Sequence, residues 1–120
     1  MPEGGGGRPK VVIPLRVGGT LVQTGITADG TATASLSAGT DEFWSDVGVM
    51  VLRTAGSSSF TVDLEVSQDD TNWHSSAIST PAAGIGHDAR GAAVPCQFVR
   101  ARVRTVGVGN TLAVTLTALR

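Results

Sequence analysis

Residues 60–73 (FTVDLEVSQDDTNW) constrain the fold more than any other stretch of this chain. Phe60, Val62, Leu64 and Val66 alternate with Thr61, Asp63, Glu65 and Ser67. A period of two puts the first set on one face of a strand and the second on the other, the mark of a half-buried strand. The polar run at 68–72 (QDDTN) ends the alternation, and Trp73 opens the next segment. The stretch predicts a β-hairpin of the kind that builds antiparallel sandwiches.

Composition points the same way. A chain of 120 residues supports one domain with one modest core. With 41% apolar and 16% charged residues, Ser, Thr and Gly must cover much of the surface, and these are mediocre helix formers. The 16 glycines raise the entropic cost of ordering the backbone, so part of the stability is expected to come from partners. A net charge of −1 gives no general field for DNA or RNA, so no nucleic-acid partner is expected. Cys96 stands alone, which rules out an intramolecular disulfide and suits a reducing cytoplasm. The Gly-rich start, with Val11-Val12-Ile13 cut by Pro14, does not read as a signal peptide. No run approaches the roughly 20 apolar residues that span a bilayer. The expectation is a soluble protein made in the cytoplasm, with no membrane partner.

Along the chain, residues 1–9 hold four consecutive glycines between Pro2 and Pro9 and read as a tail, or as an arm ordered on a neighbouring subunit. Residues 10–17 (KVVIPLRV) read as extended. Pro14 cannot donate a ladder hydrogen bond, which places this strand at a sheet edge, ready to pair with another chain. The domain division expected is an arm and edge strand at 1–17 and a β-sandwich at 18–120. Gly18-Gly19 reads as a turn. Short strands follow at 20–26 and 31–36 around the Asp29-Gly30 turn. Phe43 and Trp44 are expected to anchor a sheet, and the continuous apolar run at 47–54 (VGVMVLRT) predicts a central strand with little exposure. A weaker strand runs from 73 to 78, and 79–91 is the longest irregular stretch. Residues 97–105 (QFVRARVRT) alternate again, and 111–118 (TLAVTLTA) close the domain; their short Gly-Asn connection reads as a hairpin. The count, about eight strands with turns every 8–12 residues or so, predicts an all-β antiparallel sandwich or jelly roll.

Catalytic chemistry is sparse. His74 and His87 lack a third ligand at metal-site spacing. Cys96 follows Pro95 at a strand start, with no helix N-terminus to activate a thiolate. Asp69, Asp70 and Asn72 offer too few oxygens for calcium and read as Asx-turn residues. No phosphate loop, nucleophile elbow or paired-glutamate pattern is present. The chain is expected not to be an enzyme and to need no cofactor. Trp44 and Trp73 read as packing residues, with a sugar platform as the alternative.

One charged feature has geometry. Arg100, Arg102 and Arg104 fall on one face of a strand, about 7 Å apart. They pair with Asp63 and Glu65 on a neighbouring strand, or meet an acidic partner, or, as a third reading, bind phosphates. Together with Arg8, Lys10, Val12, Pro14 and Arg16 of the N-terminal segment, they form the expected partner-binding set.

The S-x-D turn with its tryptophan (Ser67, Asp69, Trp73), the F-V-R-A-R-V strand at 98–103 and the Thr/Leu alternation at 112–116 resemble small β-sandwich virion proteins of tailed bacteriophages. The resemblance covers residues 47–120, about two thirds of the chain. It implies a structural virion protein, most often a capsid decoration (cement) protein bound to the outer face of the head and stabilising it. It further implies the major capsid protein and neighbouring copies as partners, a homo-oligomer such as a trimer, and localisation in the virion. Discoidin-like and carbohydrate-binding sandwiches carry S-x-D-x-x-x-W turns too. A carbohydrate- or receptor-binding module of a tail or baseplate, or a tail-tube or head–tail connector subunit, therefore stands as the alternative.

Overall fold

The alternating stretch forms the middle of a sheet. In the computed structural model, which describes residues 18–120, β5 (Thr61–Ser67) buries Val62 and Leu64 completely on its inner side. Eight further strands accompany it among the described residues: β1 (Gly18–Ile26), β2 (Thr31–Ala32), β3 (Leu36–Ser37), β4 (Asp46–Ala55), β6 (His74–Ser79), β7 (His87–Ala92), β8 (Phe98–Thr105) and β9 (Thr111–Leu119). One sheet runs β1-β9-β4-β7, the other β2-β8-β5-β6 with β3 also paired to β8. Every pairing is antiparallel, and the two sheets enclose one core: an all-β sandwich.

That core comes from the inward positions of both sheets. Val49 and Val51 of β4, Leu112, Val114 and Leu116 of β9, and Val99, Ala101 and Val103 of β8 are at most 1% exposed. Each fully buried Val or Leu contributes about 1.5–3 kcal/mol relative to exposure. Trp44 closes one end, buried, its indole N–H donating to the Leu36 carbonyl at 3.1 Å while its backbone bridges to Cys96. Asn110 closes the other. Its side-chain amide donates to the Ser58 and Val106 carbonyls, both at 2.8 Å, and its carbonyl accepts from the Ser58 N–H at 3.1 Å. Gly56 packs against this asparagine at φ +91°, and a Cβ there would sit 2.6 Å from the Gly109 carbonyl oxygen. A left-handed, crowded site of that kind admits only glycine.

The hairpin expected at 60–73 is present as β5–β6. Four expectations are corrected. Gly18 and Gly19 are not a turn; they open β1, in register with Leu119 and Ala118. The strand expected at 31–36 splits into two pairs of residues, both on β8. The stretch read as irregular, 79–91, contains most of β7, an edge strand whose sequence HDARGA shows no alternation. Finally, β8 and β9 are not a hairpin: the connection between them arches from one sheet to the other, and β9 pairs with β1 and β4 instead. Of the two expected anchors, Trp44 is buried but Phe43 is 52% exposed. The expected arm and the edge strand with Pro14 lie outside the described residues.

Candidate functional site

A two-layer sandwich covers one face of each sheet and leaves the other to solvent or to a partner. The two outer faces of this protein are built in opposite ways.

On the β2-β8-β5-β6 sheet, the outer face is closed by its own charges. Asp63 and Glu65 of β5 point outward, yet they are only 2% and 5% exposed. The arginines of β8 cover them. Arg100 donates through Nε to Glu65 Oε1 at 2.8 Å, and Arg102 through Nε to the same carboxylate at 3.3 Å. Arg104 donates to Asp63 Oδ2, which also accepts from the Ser75 hydroxyl at 3.0 Å. The hydrogen bond and charge of Asp63 hold the Arg104 guanidinium above its ordinary pKa. Arg100 also lies over the Trp73 ring, 4.1 Å from its centroid, so the indole face is occupied by a cation. The row Arg100, Arg102, Arg104 thus pairs with Asp63 and Glu65, the cross-strand arrangement that the alternation allows.

Beside this ladder, the polar turn after β5 is spent on its own backbone. Asp69 Oδ1 accepts the Thr71 and Asn72 N–H groups at 2.9 and 2.8 Å and the Ser67 hydroxyl at 2.9 Å, while Oδ2 accepts the Asn72 amide at 2.7 Å. These donors hold the Asp69 carboxyl well below the usual carboxylate range, the Asn72 N–H first among them. Ser67 Oγ accepts the Asp69 and Asp70 N–H groups in turn. This is an Asx turn that shapes the hairpin. His74 and His87 stand on different sheets, on β6 and β7. Among the described residues no three of His, Cys, Asp or Glu gather as a metal-binding group. Cys96 is buried, and burial pushes its thiol up to about 11.

The outer face of the β1-β9-β4-β7 sheet carries no such cover. Val22, Thr115, Met50 and Ala89 form one cross-strand row over all four strands. The next row holds Ala113, Leu52 and His87. Val22, Met50 and Leu52 are 59%, 58% and 53% exposed. Small residues of β9 form the floor of a groove of about 470 Å³, with Val22 on one wall and Met50 and Leu52 on the other. A second depression of about 420 Å³ continues along β9, over Gly48, Thr117 and Thr20. β-Bulges end the regular pattern: Gly25, at φ +68°, lies in the extra residue of β1 that turns Ile26 back into the core. An apolar stripe across a sheet is the form that protein–protein contact sites take.

The run at 47–54 was expected to have little exposure, and this is corrected: β4 is central, between β9 and β7, but its outward half is bare. The signal was in the sequence. A continuous apolar run in a two-layer sandwich has to place every second side chain on an outer face. Of the expected partner-binding residues, Arg100, Arg102 and Arg104 lie together on the opposite sheet, and Arg8, Lys10, Val12, Pro14 and Arg16 lie outside the described residues.

Comparison with known proteins yields no matching family model and no matching curated protein. Solved structures of similar shape include the following two. One is the SPBc2 prophage-derived protein YomS, at 13% identity and a TM-score of 0.48, covering 92% of this chain and 100% of that one. The other comes from Bacillus endospore appendages, a family of disulfide-linked pili, at 15% identity and a TM-score of 0.43, covering 88% of this chain and 87% of that one. Likeness at this level bears on neither function nor partners.

Proposed function

We propose that this chain is a structural subunit of a phage particle, a decoration protein that assembles with copies of itself on the outer face of the head. The observation that carries the assembly reading is the bare row Val22–Thr115–Met50–Ala89 with Leu52 beside it. A domain with one outer face sealed by its own ion pairs and the other left apolar is suited to joining neighbours through the second. The placement on a head rests on the resemblance carried by Ser67, Asp69, Trp73 and the strand at 98–103. The action proposed is physical: many weak copy–copy and copy–shell contacts combine through avidity to brace the shell. It needs no cofactor and no catalytic group.

A sugar-binding role at Trp73 is less favoured, because Arg100 occupies the indole face that a sugar ring would stack on. Cryo-electron microscopy of particles carrying the chain tests the reading. Density for this sandwich on the outer head surface supports it. Density in the tail tube, the connector or a fibre tip contradicts it.

A further inference from the structure

The bare groove has a candidate occupant within the chain. We infer that residues 10–17 of a second copy lie along the groove on the β1-β9-β4-β7 sheet, with Val11, Ile13, Leu15 and Val17 against its apolar walls. This rests on the copy–copy assembly proposed above and names the two surfaces that make it.

Pattern is the first argument. In KVVIPLRV every odd position, Val11, Ile13, Leu15 and Val17, is apolar, while Lys10, Pro14 and Arg16 fall on even positions with Val12. As an extended segment it has one fully apolar side to bury and one charged side to leave in water. Length is the second. The two depressions follow β9 from Ala113 to Leu119, seven residues or about 23 Å, and eight extended residues span about 26 Å. Charge is the third. Arg8, Lys10 and Arg16 against Glu3 give residues 1–17 a net charge of +2, so residues 18–120 carry −3 of the chain's −1. Segment and body therefore attract, whereas two bodies meeting face to face repel.

The direction of the chain selects a second copy over the same one. Gly18 and Gly19 are already paired with Leu119 and Ala118, at the end of the β9 ladder. The segment is therefore attached at the end of its own sheet, through Gly18. A return to its own groove needs a reversal inside the segment, which consumes the residues that would fill the groove.

Cross-linking of co-expressed full-length chains, without heads present, tests this. One copy carries Leu15→Cys and the other Leu52→Cys; buried Cys96 stays out of the reaction. Docking raises the local thiol concentration, so the mixed disulfide dimer should exceed a control pair with Val108→Cys by about tenfold or more. Val108 is 90% exposed and lies in the β8–β9 connection, away from the groove. Adding Ile13→Asp to the first copy should return the yield to the control level. Yields equal to the control, or a disulfide formed only within a single chain carrying both cysteines, overturn the inference. Because no head is present, failure to decorate heads would sink the decoration reading and leave this result standing.

Discussion

Glu65→Gln is the most informative single change in the charged ladder. The Glu65 side chain is 6% exposed and receives Arg100 and Arg102, whose side chains are 18% and 31% exposed. Removing one member of a fully buried ion pair costs about 3–5 kcal/mol, and losing an exposed one costs about 0.2–1 kcal/mol. Here the carboxylate is buried but the stranded guanidiniums still reach water, so the loss should be about 2–3 kcal/mol. Urea denaturation of this small domain, with a slope of about 1–2 kcal/mol per molar, would then show a midpoint lower by about 1–3 M. Glu42→Gln is the internal control. Glu42 is 53% exposed and meets Arg120 at 3.4 Å, so the same chemical change there should cost no more than about 0.5 kcal/mol. If Glu65→Gln shifts the midpoint no more than Glu42→Gln, burial of the ladder does not govern its energetics and the reasoning fails.

Other outcomes follow from the same geometry. Trp73→Ala removes the ring beneath Arg100 and should cost about 1 kcal/mol by thermal or urea melting, with the β-sheet circular dichroism unchanged. Gly56→Ala should cost more than about 2 kcal/mol, since the new Cβ meets the Gly109 carbonyl and the Asn110 Cα at a left-handed φ; a melting temperature within a degree or so of the parent would contradict the packing described. Cys96, with its thiol raised to about 11, should resist thiol reagents at pH 8 in the native protein and react at once in denaturant. For Asp69 the folded pKa is depressed, so its stabilising effect is present above the ordinary carboxylate pKa and is lost as pH falls through the folded value. The gap in melting temperature between parent and Asp69→Ala should therefore be full at pH 7 and close only well below pH 4; closure already near pH 5 would refute the turn's assignment.

Sequence patterning was a good guide wherever one face of a strand is buried. The alternation in β5, β8 and β9 fixed which side chains face the core, and the inward valines and leucines occupy it. The Arg100, Arg102 and Arg104 row was visible as a row, and its two candidate counter-ions were Asp63 and Glu65. Pattern fails where the outcome depends on a third strand. β7 carries no alternation because it is an edge strand, exposed along most of its length and held by backbone pairing to β4. The β8–β9 connection looks like a hairpin locally, but it crosses to the other sheet and is held by contacts distant in sequence, Asn110 to Ser58 and Val106 to Asp29 among them. The candidate site was half legible. The apolar run at 47–54 announced a central strand, but whether its outer half meets a third layer depends on the two-sheet architecture, which no single strand encodes.

The apolar face around Val22, Met50 and Leu52 is proposed to join copies of this chain. Sedimentation velocity of the full-length protein across a range of concentrations tests it most directly, with Leu52→Glu beside the parent. Leu52 is 53% exposed, so the variant should fold and melt like the parent. A contact through this face gives concentration-dependent oligomers for the parent and a monomer for Leu52→Glu. A parent that stays monomeric throughout, or oligomers that Leu52→Glu leaves intact, would contradict it.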